Sequence, residues 1–540
     1  MATHGDRFGR QRGRGDWGQG AQLQQVPKHG VKIYGDFSGG FNYQAAREVT
    51  QPNASFDSLD MQVTTANELT RLPGAITQEV LAGHNPAQLA LHPSLSLTSE
   101  LLMFDPPYLG VKGTGATVWT DEGLIGDRYF AWTNYGETFV FMNGAGAVRK
   151  REPGAASTVA LENAPQGRTV ATFAGRLFIG GSYVEGNYEP VGISWSSSTG
   201  DLDDWAADDS SFELLLDNVV DGDRIVALRT MGLNLMAILL RKSVWIGRFT
   251  GDPSRPAAFE PRVAGVGCVN DQTARNTKEG VLFLSDTGVQ LFDGNSVAMI
   301  SKPINDLLLP LDKDKLEEYS AVFNPISRRY HLFTPTETFI LDMEYQRWYR
   351  SSIIARSAVL FPNQVVGLTW ENTGGTWESQ GNTTWIDLAP LEENGGSLMY
   401  LGVQAGTPAI AKETEDHPTY MDLPLTPYWC FPFEEGPERN WLHTIHAILF
   451  DYVGSGRVKF HLPDIEGEYA EAASMTLAVA PRLRTAWLPL TTTGKGVSAK
   501  LEILLGSPKI SVVQLRAALR GPRMEAIPFE PREYYDDFDV

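Results

Sequence analysis

Between Asp221 and Phe249 the chain reads DGDRIVALRTMGLNLMAILLRKSVWIGRF, and between Gly267 and Ile300 it reads GCVNDQTARNTKEGVLFLSDTGVQLFDGNSVAMI. Short apolar runs at Ile225–Leu228, Leu235–Leu240, Ser243–Ile246, Gly280–Leu284 and Val289–Phe292 are separated by Gly, Asp and Asn. Such punctuation marks strands joined by tight turns. Asp286-Thr-Gly288 and Asp293-Gly294-Asn295 bracket one short strand with residues that tolerate positive φ, and no helix of useful length fits between them. A unit of about 40 residues carrying roughly four strands is the period of a β-propeller blade.

The same architecture recurs at Arg168–Trp195, Tyr319–Tyr349 and Ala358–Leu388, although no fixed word repeats. The expected fold is therefore all-β: a propeller of about six or seven blades over residues 31–425, with insertions. From about Pro427 the texture changes. Trp441–Tyr452, Val458–Leu462, Ser474–Ala480, Thr485–Leu490, Ala499–Leu505 and Val512–Leu519 read as six strands with short turns. They predict an appended β-sandwich over 426–525. Two departures from strand are expected: a short helix at Pro86–Leu91 and another at Leu307–Glu318. Gly110–Gly115 reads as a turn, since it lacks the Gly-Lys-Ser/Thr ending of a phosphate loop.

Composition narrows the function. At 540 residues with 53 Gly and 32 Pro, the chain suits a large fold made of many turns. The 65 acidic against 45 basic residues give a formal charge of −20, which repels phosphate backbones and argues against a general nucleic-acid binder. Two distant cysteines, Cys268 and Cys430, exclude a disulfide scaffold and read as buried free thiols. No run of 18 apolar residues is present, so no membrane segment is expected.

The motifs of the first 300 residues resemble a family. Asp36-Phe-Ser-Gly-Gly-Phe-Asn42, Thr65-Ala-Asn-Glu-Leu69 and Arg71–Gly74 resemble its opening. Phe173-Ala-Gly-Arg-Leu-Phe178, Ile193-Ser-Trp195, Asp221-Gly-Asp-Arg-Ile225, Arg241-Lys-Ser-Val-Trp245, Gly267-Cys-Val-Asn270, Phe283–Gly288 and Leu291-Phe-Asp-Gly294 follow in matching order. The family is that of the β-propeller tail nozzle, or tail tubular, proteins of short-tailed bacteriophages. The likeness covers roughly Lys32 to Ile300 and fades after about Tyr349. It implies a structural virion protein, made in the host cytoplasm and built into the tail as a homo-oligomeric ring of six copies. The partners it implies are other tail or adaptor proteins, and double-stranded DNA that passes through without specific binding.

Residues 1–30 form a Gly-, Gln- and Arg-rich arm, whose Arg7, Arg10, Arg12, Arg14 and Trp17 are candidate inter-subunit contacts with an acidic neighbour. Residues 526–540 form an acidic aromatic tail, with Tyr534, Tyr535 and Phe538 as docking candidates. Asp201, Asp203 and Asp204 lie in the densest acidic knot. Hard cations favour several carboxylates, but the spaced calcium-loop pattern is missing and a solvated loop is the expectation. Asp217, Asp221 and Asp223 form a weaker second group. His443 and His446, three apart on a strand, point to opposite faces and are not expected to chelate one ion.

No cofactor, metal or enzymatic activity is expected. There is no Gly-x-Ser-x-Gly elbow, His-Glu-x-x-His pair, Walker lysine or dinucleotide glycine pattern. The competing expectation is a tail protein that uses its propeller funnel or sandwich to bind or degrade a surface polysaccharide, whose two acids need only meet in space.

Overall fold

The computed structural model describes residues 30–44, 50–94, 99–113, 116–126, 129–184, 186–196, 202–205, 211–215, 222–361, 397–404, 407–414, 417–435 and 441–522. It is a seven-bladed β-propeller with an appended, nearly closed β-sheet domain. Six blades are four-stranded antiparallel sheets formed in chain order, from Gln88–His92 in blade 1 to Arg347–Ser351 in blade 6.

The innermost strands are Gln88–His92, Ala131–Tyr135, Thr169–Phe173, Ile225–Met231, Arg275–Asn276, Ser320–Asn324 and Ala355–Phe361. They follow one another round the axis, and the seventh comes back to the first. Between blades 1 and 2 the ring is tied by the Gln88 side chain, whose Nε2 donates to Phe130 O at 2.7 Å and whose Oε1 accepts from Phe130 N at 2.6 Å.

Blade strands read as continuous apolar runs because a neighbouring blade covers each face. Val281–Ser285 is wholly buried. On one side, Val281, Phe283 and Phe292 pack with Ala237, Leu239 and Val244 of blade 4; on the other, Leu282 and Leu284 pack with Tyr330 and Leu332 of blade 6. Burial on both faces removes the alternation that a half-solvated sheet shows.

The ring closes between distant parts of the chain. Blade 7 joins Ala355–Phe361, Ser397–Gln404 and Thr407–Thr414 to Gly74–Val80, which pairs antiparallel with Thr407–Thr414. A strand that precedes blade 1 thus completes the last blade.

Three pieces of the stretch from residue 30 to 71, nearly all of which the sequence reading assigns to the propeller, belong to the C-terminal sheet instead; Gly40–Phe41 and Ala54–Ser55 pair with each other, and Phe41 packs in the propeller core. Gly30–Tyr34 pairs with Lys509–Pro522, Ser58–Leu59 with Tyr428–Cys430, and Met61–Val63 with Leu69–Arg71 in the same nine-stranded sheet. Their side chains complete its core, where Tyr34, Met61 and Leu69 meet Phe431, Phe450 and Leu515. The joint to the propeller lies at blade 6. Asp60 N donates to Arg350 O at 2.9 Å, and Ile340 and Tyr349 pack into the C-terminal core.

The six expected C-terminal strands are fewer and longer. The first two are one strand, Trp441–Pro463, and the third and fourth are Tyr469–Gly494. Gly454-Ser-Gly456, which looks like a turn, is a bulge in this hairpin, with Gly454 at φ +99°. A bulge bends a strand without ending it.

Three local expectations also change. Gln88–His92 replaces the helix at Pro86–Leu91, because burial of Leu89 and Ala90 in the ring calls for extended backbone. Leu307–Glu318 holds the end of a one-turn helix, Asn305–Leu308, and a separate 3-10 segment, Lys313–Glu318, with Pro310 between them. Gly110, expected in a turn, lies within the strand Tyr108–Lys112, where Trp119 covers it.

Candidate functional site

Two features stand out once the ring is closed: its axis is blocked, and the C-terminal hairpin leaves a long edge and an apolar face uncovered. The block is the segment Asn270–Ala274, which leaves blade 5 and binds blades on the far side of the axis. Gln272 Oε1 accepts from Gln88 Nε2 at 2.9 Å, and Gln272 Nε2 donates to Phe130 O at 2.9 Å. Thr169 Oγ1 of blade 3 donates to Asp271 Oδ1 at 3.1 Å, and Tyr330 of blade 6 donates to Thr273 O at 2.8 Å. Asn270 caps the turn, its side chain accepting from Gln272 N at 3.0 Å. Gly267 lets the chain enter here, since a Cβ would stand 2.3 Å from the Arg241 carbonyl carbon.

A cavity lies on each side of this plug, and Asp271 and Gln272 line both. One, of about 320 Å³, is rimmed by the exposed Arg168, Arg224 and Lys313 together with Asp314 and Glu317. The other, of about 430 Å³, holds Arg229 and Arg275. Arg229 donates to Asp271 O, Ala274 O and Leu228 O, and pairs with the Asp271 carboxylate at 3.1 Å. Arg275 reaches only carbonyls, Ala321 O at 2.7 Å and Ala274 O at 3.1 Å. Burial, and then the Arg229 charge, bring the Arg275 pKa down to about 10. Sequence reasoning missed this group; the available signal was the arginine inside the largely apolar strand Ile225–Met231, whereas Arg275, in the polar pair Arg275–Asn276, gave none.

On the C-terminal domain, register decides what faces outward. Tyr34, Val513, Phe450 and Ala486 are paired neighbours on four adjacent strands, and all are buried. One residue away, Ile33, Gln514, Leu449 and Trp487 form the matching outward row. Trp487 is 59% exposed and Ile33 58%, with Val31 at 55% beside them. The Arg516 guanidinium lies 5.9 Å from the Trp487 ring. Farther along the hairpin, Leu483 is 62% and Val479 78% exposed. Among the described residues Tyr469–Gly494 pairs only with Trp441–Pro463, so its other edge is open over 26 residues. Long apolar edges are usually covered or interrupted, because they template pairing with another chain.

The sequence-predicted contact residues Arg7, Arg10, Arg12, Arg14, Trp17, Tyr534, Tyr535 and Phe538 lie outside the described residues, as does Asp201. Asp203 accepts from Lys150 of blade 2. Asp223 is buried and structural, its carboxylate accepting from Ser243 Oγ at 2.7 Å and Lys242 N at 2.9 Å. Among the described residues no group of three or more His, Cys, Asp or Glu is placed to hold a metal ion. No helix there is long and apolar enough to cross a membrane. Both cysteines are free and buried.

These features define a class: a seven-bladed propeller with a blocked axis, carrying a C-terminal sheet domain with an uncovered face. No protein-family model matches the chain, and no curated protein matches it. Among solved structures it is similar to BBS1N, crystallised in complex with ARL6DN, at 9% identity and a TM-score of 0.37 over 62% of this chain and 94% of that one. PorZ of Porphyromonas gingivalis, a surface component of the type-IX secretion system, matches at 14% identity and 0.33, over 70% of this chain and 44% of its own. The extracellular domain of a one-component system from B. thetaiotaomicron matches at 9% and 0.39, over 82% and 62%.

Proposed function

We propose that this chain is a structural subunit of a bacteriophage tail, a nozzle-type component that closes into a ring of six copies around the DNA exit channel. The observation that carries the reading is the outward row of Ile33 and Trp487 beside the open edge of Tyr469–Gly494. An apolar face of this kind on a water-filled surface calls for a partner. A second copy suits it by charge. Residues 427–522 hold ten Lys or Arg against nine Asp or Glu, whereas the whole chain has 45 against 65. The near-neutral sheet of one copy, with Arg482, Arg484 and Arg516, therefore meets the acidic propeller of the next.

The order of motifs from Lys32 to Ile300 supports the tail assignment. The plug at Asn270–Ala274 bars DNA from the propeller axis, so the duplex in this reading passes between subunits, along acidic walls that do not hold it. Negative-stain imaging with mass photometry of the purified chain tests the reading. A closed ring with a central hole is expected; a monomer at micromolar concentration that also fails to join tail particles overturns it.

A glycan-binding tail protein is the second reading, favoured by Trp132 on the wall of the larger axial cavity. A monomer that binds host polysaccharide would replace the first reading with it.

A further inference from the structure

The larger axial cavity holds more positive charge than it neutralises. Arg229 is matched by Asp271 at 3.1 Å. Arg275, beside it, uses Nε and Nη1 on backbone carbonyls, and its Nη2 has no partner among the described residues. Arg275 is partly buried, its Nη2 is open to the cavity, and the Asp271 charge reaches it, so the wall is positive where Nη2 faces the cavity and an anion there would gain charge-assisted hydrogen bonds. Asn134, on the same wall, turns its side-chain oxygen away from the cavity into a place closed to solvent. Trp132, half-buried and stacked on Phe139 at 5.5 Å, offers a flat apolar wall.

We propose that this cavity binds a small carboxylate, with the acid on Arg275 Nη2 and the C–H face of the ligand against Trp132. The cavity of about 430 Å³ admits one small ring or short chain. Two sources share this chemistry: a uronic acid at the end of a surface glycan, or a free small hydroxy acid. The site stands apart from the outward face of the C-terminal sheet, so loss of ring assembly and loss of binding are separate results.

The experiment is isothermal titration of the full chain with galacturonate, malate and the neutral sugar galactose. Galacturonate and malate are expected to bind and galactose to fail. Binding of galacturonate alone assigns the site to a glycan end, and binding of malate alone or of both assigns it to small carboxylates. Arg275→Gln should weaken binding about tenfold or more through loss of the charge-assisted contact. Because that change also touches blade 6 through Ala321, Trp132→Ala is the second variant. It removes the flat wall and should weaken acid binding about tenfold or more while circular dichroism stays near that of the parent. Absence of binding for both acids at millimolar concentration overturns the proposal, as does equal binding of galactose or unchanged affinity in both Arg275→Gln and Trp132→Ala.

Discussion

Ile33 and Trp487 stand at opposite ends of one outward row across four strands, linked through Gln514 and Leu449, although they come from opposite ends of the chain. The first pairing joins Gly30–Tyr34 to the last described strand, and the final one joins the two arms of the long hairpin. The exposed face therefore exists only after the two ends of the described chain have met.

Replacing Trp487 by Glu should break assembly without unfolding the domain, because the ring is 59% exposed and the core row lies on the other face. A central aromatic contact is worth on the order of 2 kcal/mol, or roughly a thirtyfold rise in dissociation constant. Sedimentation velocity reads the change. Ile33→Glu should act in the same direction, and unaltered association in both variants counts against this face as the contact.

Gln272→Ala should destabilise the propeller by about 1–2 kcal/mol, since it leaves one hydrogen of the buried Gln88 Nε2 without an acceptor, while Gln88 Nε2 and Phe130 O keep their bond to each other. Denaturant unfolding measures this. A cost near zero would mean that water replaces the amide and that the plug is not held through Gln272.

Asp60 and Glu100 respond to pH in opposite senses. Burial raises the Asp60 pKa; hydrogen bonds from Ser352 and Ser351 only partly offset that, including Ser352 N to Oδ1 at 2.8 Å. Its native pKa lies above the unfolded value. Its contribution is therefore fully present below the unfolded pKa and is lost as pH rises through the native one. Asp60→Asn should keep the joint to blade 6 and remove this loss at neutral pH, whereas Asp60→Ala should cost about 2 kcal/mol or more by leaving Ser352 N unpaired. Melting curves of the two variants at pH 7 separate these outcomes.

For Glu100, burial alone would raise the pKa, but hydrogen bonds from His92 and Arg151 and the Arg151 charge outweigh it and bring it to about 2. The native value lies below the unfolded one, so the stability it provides is present above the unfolded pKa and lost as pH falls toward 2. It ties blade 1 to blade 2 through Arg151 Nε at 3.0 Å. Glu100→Gln should flatten the acid limb of the stability profile below about pH 4.5. A profile identical to the parent's would place the acid sensitivity elsewhere.

Cys268 and Cys430 should resist alkylation in the native protein and react after denaturation. Burial pushes the Cys268 thiol up to about 11 and raises Cys430 further. Mass spectrometry after iodoacetamide at pH 8 reads both sites. Rapid native labelling of Cys268 would signal opening of the blade 4–blade 5 core in which it lies.

Much of the architecture was legible because turn chemistry is local. Asp286-Thr-Gly288 and Asp293-Gly294-Asn295 bound strands of blade 5 as their residue types require, and Gly288 and Gly294 both take positive φ. Asn134-Tyr-Gly136 likewise turns the hairpin of blade 2. The candidate site was not legible. Gln88, Arg229 and the Asp271–Arg275 stretch are far apart in sequence, and their polarity gains meaning only when blades 1, 4 and 5 bring them to one axis.

By itself the amino-acid order determined the all-β class, the blade period and the start of a second β domain, since each rests on preferences acting over a few residues. Only the tertiary structure decided that Gly74–Val80 completes blade 7, that three pieces of the stretch from residue 30 to 71 belong with the C-terminal strands and that four expected strands are one long hairpin. Those outcomes depend on pairing between segments hundreds of residues apart. A strand's own residues declare that it needs a partner, but which edge it finds is set by the cores that close around it.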